Sequence, residues 1–250
     1  MPKKIVVIGT GYVGLPLAIM LARSGYEVVG VDIEENIVNA INQRVLYLAE
    51  EKIKQIFDEP RVRKNLSAQK TPCEADVFII SVPTPLNEQK RVADLSLVIS
   101  GVESILPYLR PGNLVVIEST VPPLTCRETV APMIENTGLK VGKDIYICHC
   151  PERILPGDVF QEIVHNDRVI GGMDSKTSKM AKEIYGSFVK GTLCITDDVT
   201  AELCKLMENT YRDVNIALAN EFAAVADGLG VDIMEAIALT NRHPRVDILN

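Results

Sequence analysis

The chain has 250 residues, of which 47% are hydrophobic and 24% charged, and its formal net charge is −7. This composition is that of a globular protein with enough core for one large domain or two modest ones. The negative charge argues against a general binder of nucleic acid or of anionic membranes. It remains compatible with an anionic nucleotide that is held by local backbone N–H groups and one or two cations.

Targeting and redox signals point to the cytoplasm. No apolar run approaches the roughly 20 residues that a membrane-spanning helix requires, and a strand-like pattern begins within the first residues, which leaves no room for a signal peptide. Six cysteines follow no disulfide-framework spacing, so we expect reduced thiols. They are Cys73, Cys126, Cys148, Cys150, Cys194 and Cys204.

Short apolar runs alternate with helical patterns, which is typical of βαβ units. Segment 43–70 is highly charged and is predicted to be helical and solvent-facing. The pattern predicts an α/β fold with a doubly wound, Rossmann-type parallel sheet. The predicted strands are Ile5–Ile8, Glu27–Val31, Val77–Val82, Leu114–Glu118, Asp144–Cys148 and Arg168–Ile170. The predicted helices are Leu15–Arg23, Glu34–Asn42, Leu95–Leu106 and Ser175–Ser187.

The character of the chain changes near residue 197. From Thr200 to Leu229 apolar residues recur at helical spacing, which predicts a helix of about 45 Å. A second helix is predicted over Ile233–Thr240. We therefore expect a sheet domain over residues 1–197 and an all-α domain over residues 198–250. Since so long a helix usually spans domains or pairs with a partner, we expect a homodimer through helix 200–229.

A glycine-rich turn follows the first predicted strand and opens a helix. In Gly9-Thr10-Gly11-Tyr12-Val13-Gly14 the first glycine permits a tight turn, the second admits a pyrophosphate, and the third allows close packing of helix and strand. The helix amino end then offers free N–H groups to phosphate. Asp32 ends the second strand, where a carboxylate accepts hydrogen bonds from ribose hydroxyls and favours NAD over NADP.

Further motifs recur in the same order as in a known family. They are Gly9–Pro16, Ser81–Pro85, Glu118–Pro123, Cys150–Arg153 with Pro156-Gly157, Lys205–Thr210, Asn220-Glu221 and Thr240–Asn250. Together they resemble the UDP-glucose/GDP-mannose dehydrogenase family. The run Asn241–Val246 is most similar to the branch of that family whose substrate is UDP-N-acetyl-D-mannosamine.

The resemblance implies an NAD-dependent oxidation of C6 of a UDP-sugar to the carboxylate in two hydride transfers. Lys205 would stabilise the oxyanion at C6, with Asn209 on the same helix face. Glu152 would be the general acid/base, and Thr120 would help to order a water. The plainer alternatives are that Lys205 is a solvated lysine on a helix face, that Glu152 is a surface acid in a loop, and that Thr120 caps a turn.

The resemblance also implies the binding residues. Those for NAD would be Gly9, Gly11, Tyr12, Val13, Gly14, Asp32, Pro83, Thr84, Ser119 and Thr120. Those for the substrate would be Glu152, Arg153, Lys205, Asn209, Arg242, His243 and Arg245. The last three of these form a small cationic cluster, for which the alternative is a solvated helix end.

Cysteine chemistry gives two negative predictions. In Cys148-His149-Cys150 the side chains alternate between faces of a strand, so no metal site is predicted. The resemblance places the family's nucleophilic cysteine in a glycine-rich motif just beyond Asn250. We therefore expect the 250 residues of the chain to lack both that cysteine and a carboxy-terminal UDP-binding domain. We expect them to bind NAD without complete turnover.

Two other functions remain open. A two-domain β-hydroxyacid dehydrogenase of the 6-phosphogluconate type also pairs a Rossmann domain with a long helix carrying Lys and Asn. The second alternative is a non-catalytic module that binds a nucleotide and forms a dimer.

Overall fold

The computed structural model describes residues 3–48, 51–154 and 157–249. Residues of three predicted segments lie outside this part of the chain: Pro156 of the motif that follows Cys150–Arg153, Ala49 and Glu50 of segment 43–70, and Asn250 of the run Thr240–Asn250. Two compact units are present, Met1–Leu203 and Cys204–Asn250.

The described strands are β1 (Lys4–Ile8), β2 (Glu27–Val31), β3 (Leu66–Gln69), β4 (Val77–Ile80), β5 (Leu86–Asn87), β6 (Val92–Ala93), β7 (Leu114–Ile117), β8 (Tyr146–His149), β9 (Arg168–Gly172) and β10 (Leu193–Asp197). The described α-helices are α1 (Gly14–Ser24), α2 (Glu35–Asn42), α3 (Glu51–Phe57), α4 (Pro60–Asn65), α5 (Ser96–Ile105), α6 (Ala131–Glu135), α7 (Val159–His165), α8 (Ser175–Tyr185), α9 (Asp198–Leu229) and α10 (Ile233–Thr240). A π-helical turn, Cys126–Val130, leads into α6.

The first unit is built on an eight-stranded sheet in the order β10-β9-β8-β7-β4-β1-β2-β3. Its strands run parallel except at one junction, where β9 is antiparallel to β8. The chain winds outward from β1 in both directions, so the strand order reverses between β1 and β4. The doubly wound α/β prediction is confirmed. The sequence pattern does not indicate the reversal at β9, because apolar periodicity carries no strand direction.

Both faces of the sheet are covered, which explains why the central strands are apolar almost throughout. On β1, Ile5 and Val7 belong to one hydrophobic cluster with α1, whereas Val6 and Ile8 belong to a second cluster with α5. Alternation along the strand sends successive side chains to opposite faces.

The prediction for segment 43–70 is wrong in two respects. Residues 66–69 form β3, an edge strand hydrogen-bonded to β2. The helices α3 and α4 are amphipathic rather than merely solvent-facing, because Ile53, Phe57 and Val62 lie in the core. High charge dominated the pattern and concealed these buried apolar positions, to which Ile56 also belongs. The strands β5, β6 and β10 and the helices α6 and α7 were also not predicted.

The helix predicted over 200–229 is confirmed as α9, which begins two residues earlier, at Asp198. The described part of α9 leaves a series of apolar side chains exposed, namely Leu203, Met207, Tyr211, Val214, Ile216, Leu218, Phe222, Val225 and Leu229. None of the helices in the described ranges is long and apolar enough to cross a membrane.

Candidate active site

A cleft of about 620 Å³ opens at the carboxyl ends of β1, β2, β4 and β7, beside the point where the strand order reverses. Ligands bind at this position in doubly wound sheets. The structure brings most of the sequence-predicted cofactor residues together there. Those lining the cleft are Gly9, Gly11, Tyr12, Val13, Asp32, Pro83, Thr84, Ser119 and Thr120.

The three glycines of the turn have different structural roles. Gly9 has a φ of +86°, and a Cβ on it would lie 2.6 Å from the carbonyl oxygen of Ser81. A Cβ on Gly14 would lie 1.9 Å from the carbonyl oxygen of Gly9, so only glycine allows α1 to start this close to β1. A Cβ on Gly11 would have no heavy atom of the described residues within 4 Å. The backbone at Gly11 is therefore open to a ligand.

Asp32 is fixed at the carboxyl end of β2. Its Oδ2 accepts from the Thr10 backbone N (3.0 Å) and hydroxyl (3.1 Å), and its Oδ1 accepts from the Glu34 backbone N (3.1 Å). The Tyr47 hydroxyl donates to the carbonyl of Thr10 on the other side. Burial raises the pKa of Tyr47 to about 12, so that phenol stays protonated. The carboxylate is thus oriented before any ligand binds.

Ser119 joins the loops after β4 and β7. Its Oγ accepts from the Val82 backbone N (2.9 Å) and donates to the Val82 carbonyl (2.7 Å). Pro83 and Thr84 directly follow Val82, and Thr120 directly follows Ser119. A buried serine therefore couples the positions of the two loops, which is a structural role in addition to the predicted one.

Glu152 lies on a segment that runs along the end of β7. We refer to residues 150–153 as the Glu152 segment. The Cys150 backbone N donates to the Ile117 carbonyl (3.0 Å), and the Glu152 backbone N donates to the Glu118 carbonyl (3.4 Å). Glu152 consequently lines the same cleft as Thr120 and the glycine turn. The geometry can combine nucleotide binding with proton transfer.

Arg153 points elsewhere. Its Nη1 donates to the Asp167 carbonyl (2.7 Å), and it is absent from the described residues that line the cleft. Its substrate-binding role stays a prediction.

The structure adds residues that the sequence analysis did not select. Glu118 lies under the cleft with its carboxylate fully buried and paired to Arg168 (2.7 Å). Burial raises the pKa of Glu118, and the adjoining guanidinium opposes this rise. The small residues Ser100, Gly101 and Ser104 of α5 also line the cleft. These three positions, at i, i+1 and i+4, share one face of the helix. A helix face made of small residues was the sequence signal that could have indicated them.

The loop that carries Thr120 is fastened to the first turn of α9. Glu202, whose side chain is buried, accepts from the backbone N of Leu124 (2.6 Å) and of Cys126 (2.9 Å). Leu124 has a φ of +73°, which is unfavourable for a leucine. Arg127 forms a bidentate ion pair with the buried Asp198. Two acids at the start of α9 thus hold this turn in place.

We expect Glu202→Gln to lower the free energy of unfolding by about 1–3 kcal/mol, because one of the two backbone N–H groups loses its acceptor while staying buried. Chemical denaturation measures this. The control is Glu221→Gln, an exposed acid on the same helix, which should change stability by less than about 0.5 kcal/mol. Equal stability of the two variants would refute the capping role.

The remaining predicted residues belong to the second unit. Lys205 is only 8% exposed, and Asn209 lies one turn further along α9. Arg242, His243 and Arg245 are exposed in the segment after α10. The Asn241 side chain closes that segment through two hydrogen bonds, both 2.8 Å, to the backbone of Ile248. Their grouping with the cleft stays a prediction.

Three buried cysteines of the first unit, Cys126, Cys148 and Cys150, are not suited to nucleophilic chemistry. Burial raises the pKa of Cys126 and Cys148 and raises that of Cys150 to about 11, so these thiols stay protonated. In the described ranges no three His, Cys, Asp or Glu side chains are grouped so as to hold a metal ion.

Comparison with known proteins agrees with this geometry. Residues 3–189 match the NAD-binding domain of the UDP-glucose/GDP-mannose dehydrogenase family, and residues 199–250 match its central domain. A UDP-N-acetyl-D-mannosamine dehydrogenase of Methanococcus maripaludis is 52% identical over 99% of the chain, which spans 57% of that protein.

Solved structures give the same result. The UDP-D-ManNAc dehydrogenase of Pyrococcus horikoshii has a TM-score of 0.93 at 46% identity, with 99% of this chain and 59% of that chain covered. The UDP-N-acetyl-mannosamine dehydrogenase of Staphylococcus aureus has a TM-score of 0.92 at 44% identity, with 99% and 60% covered.

A glycine turn that admits a pyrophosphate, an oriented acid at the end of β2 and a match over 3–189 to an NAD-binding domain agree on NAD as the cofactor. Both family matches together cover nearly all of the described residues. The chain belongs to the UDP-glucose/GDP-mannose dehydrogenase family of oxidoreductases.

Proposed function

We propose that this chain contributes to an enzyme that oxidises C6 of UDP-N-acetyl-D-mannosamine to the uronate in two hydride transfers. The observation that carries the proposal is that Thr120 and Glu152 line the same cleft as the glycine turn and Asp32. Candidate acid/base chemistry and candidate nucleotide binding therefore share one site. The relatives with the N-acetylmannosamine name support the substrate, although the chain spans only about 57% of their length.

The cofactor residues of this proposal each have a physical role. Gly11 gives the pyrophosphate access to the amino end of α1, where free N–H groups and the helix dipole favour anions. Asp32 accepts hydrogen bonds from the adenosine ribose and repels a 2′-phosphate. Pro83 and Thr84 form one wall of the cleft, and Ser119 and Thr120 form another. NAD supplies the hydride acceptor when bound.

The protein's own groups manage charge and protons. The Lys205 ammonium stabilises negative charge on the oxygen at C6, and Asn209 donates a hydrogen bond to that oxygen or to a water. Glu152 accepts and returns the proton of the attacking water, which Thr120 orients. In the second oxidation the family's cysteine thiol would add to the C6 aldehyde to give a thiohemiacetal, loss of a hydride from it would give a thioester, and water would hydrolyse the thioester to the carboxylate and the free thiol. We place that cysteine in the part of the relatives that these 250 residues do not span.

We propose that the substrate phosphates are recognised by cations. Arg242, His243 and Arg245 lie together on the exposed segment after α10, and Arg in particular offers paired donors to phosphate. Arg153 is a further candidate. A separate domain for the uridine moiety would lie outside the 250 residues. Within them, we place the boundary of the NAD-binding domain at residue 197.

We propose a cytoplasmic homodimer. The exposed apolar side chains of α9, such as Met207, Tyr211 and Val225, form a surface unlike that of an isolated monomer. A second copy of α9 presents the same apolar side chains, and it is therefore the partner that we propose for this surface. Light scattering should give twice the monomer mass, and a Tyr211→Glu/Val225→Glu variant should be monomeric. A monomeric parent protein would refute the dimer.

The reaction is tested with the protein from its complete reading frame. We expect two NADH per UDP-N-acetyl-D-mannosamine consumed, and much lower kcat/KM with UDP-glucose, UDP-N-acetyl-D-galactosamine and GDP-mannose. Residues 1–250 alone should bind NAD without turnover. Oxidation of small β-hydroxyacids instead would favour the 6-phosphogluconate-type alternative. NAD binding without turnover of any substrate by the complete protein would favour a binding module.

Cofactor choice gives a separate prediction. We expect Asp32→Ser to weaken NAD binding about tenfold or more, since a charge-assisted hydrogen bond contributes about 1.5–3 kcal/mol, and to raise the affinity for NADP relative to NAD. Isothermal titration with both nucleotides measures this. Glu34→Gln removes a charge from the same rim of the cleft and should leave the preference unchanged. An unchanged preference in Asp32→Ser would contradict the ribose assignment.

A further inference from the structure

The Glu152 segment is anchored on two sides within the first unit. On one side it meets the end of β7, through the hydrogen bonds of Cys150 and Glu152 to Ile117 and Glu118. On the other side it meets residues 166–168. The Asn166 side chain donates to the Arg153 carbonyl (3.1 Å), and Arg153 in turn donates to the Asp167 carbonyl (2.7 Å).

Arg168 connects the two sides. Its Nη1 lies 2.7 Å from Glu118 Oε1 and 3.9 Å from Cys150 Sγ, and its side chain is 4% exposed. The guanidinium stacks over the Tyr185 ring, 4.8 Å from its centroid. A buried charge needs a partner, and here the partner is the residue whose carbonyl holds Glu152.

The single antiparallel junction of the sheet makes this contact available. β9 begins at Arg168 and runs against β8, with Cys148 opposite Gly172. The amino end of β9 therefore extends beyond the carboxyl end of β8, alongside the Glu152 segment, at the end of the strands where the cleft opens. A parallel β9 would have placed Arg168 at the opposite edge.

We propose that Arg168 and Glu118 are positioning residues for Glu152. The buried pair fixes the end of β7 and the start of the Glu152 segment relative to each other, and so fixes the direction of the Glu152 carboxylate. This inference rests on the proposed role of Glu152 as general acid/base. A sheet can form without an antiparallel β9, and the inference gives this reversal a function, which is to place Arg168 beside the Glu152 segment.

The test uses the protein from its complete reading frame. The main variant is Glu118→Gln/Arg168→Met, which removes both charges and leaves no unpaired one. Arg168→Lys is the second variant and keeps the charge without the forked geometry. The control is Lys3→Met/Glu183→Gln, which removes an exposed ion pair (3.1 Å) from the same unit.

The first measurement is independent of activity. Hydrogen exchange followed by mass spectrometry should show faster exchange of the Glu152 amide region in both charge variants and no change in Lys3→Met/Glu183→Gln. Unchanged exchange in folded charge variants would overturn the positioning role. If the double variant does not fold, Arg168→Lys decides the question alone.

The second measurement is kinetic. We expect kcat in the charge variants to fall at least 30-fold while the NAD dissociation constant changes less than about threefold. The same substitutions should have no further effect in a Glu152→Gln background, because they act through that carboxylate. If the charge variants lowered kcat by the same factor with and without Glu152→Gln, the losses would be independent and the inference would be overturned. A Glu152→Gln variant with full kcat would instead overturn the proposed role of Glu152, and the exchange result would still stand.

Discussion

Replacing Gly11 with alanine is expected to weaken NAD binding about 100-fold or more, which is about 2.7 kcal/mol. The free energy of unfolding should change by less than about 0.5 kcal/mol, as for other open positions. A Cβ at Gly11 meets no described heavy atom within 4 Å, so the fold has room for it. The added methyl occupies the space through which the backbone approaches the pyrophosphate. Isothermal titration with NAD and chemical denaturation measure the two effects.

The matched variant is Gly14→Ala, in the same turn. Its Cβ would lie 1.9 Å from the Gly9 carbonyl oxygen, so α1 has to move away from the turn. We expect a loss of about 1–3 kcal/mol or more in stability from this overpacking, together with loss of NAD binding. The two glycines thus separate a steric effect on the ligand from a steric effect on the fold.

Gly228→Ala provides the baseline for both. It lies in α9, and its Cβ also meets no described atom within 4 Å. Alanine should stabilise the helix by about 0.5–1 kcal/mol and leave NAD affinity unchanged. If Gly11→Ala bound NAD as tightly as Gly228→Ala, the turn would not be the phosphate site.

Lys205→Met should lower kcat of the complete protein about 100- to 1000-fold, the usual loss when a group that stabilises a developing oxyanion is removed. Lys205 is 8% exposed, and a charge removed from water acts more strongly on a neighbouring oxygen. Methionine keeps the length and apolar stem of the side chain. We expect the NAD dissociation constant to be unchanged, because no role in cofactor binding is proposed for Lys205. Steady-state kinetics and titration with NAD separate the two.

The control is Arg212→Met, which removes an exposed cation from the same helix. Its kcat should stay within about twofold of the parent, since an exposed charge is screened by solvent. A Lys205→Met protein that retains full kcat would remove Lys205 from the mechanism. A parallel loss of kcat in Arg212→Met would mean that general damage to α9 is responsible.

The parts of the fold that were predicted correctly depend on local pattern. β1, α1, β2 and α9 each have a periodicity or a glycine turn that needs no distant residue to interpret. Within segment 43–70 helices α3 and α4 bear out the predicted helix, whereas β3 was missed, because it is a short edge strand whose stability comes from pairing with β2 rather than from its own residues. Strand direction at β9 was likewise beyond any local signal.

The candidate site divides in the same way. Gly9, Gly11, Gly14 and Asp32 were selected from spacing alone, because backbone geometry at a phosphate-binding turn restricts residue type. Glu118 and Arg168 lie 50 positions apart in sequence, and each alone resembles an ordinary charged residue. Their pairing becomes visible only in the folded chain.

The sequence by itself determined the glycine-rich turn after β1, the acid that follows β2, the alternation of strands and helices, and the family. These features depend on residue type at fixed local spacing. Only the tertiary structure decided how the loops after β4 and β7 are joined through Ser119, how the Glu152 segment is anchored, and how Glu202 holds the turn at Leu124. Such contacts join residues far apart in the chain, and burial gives them their strength by excluding the water that would otherwise compete for the same hydrogen bonds.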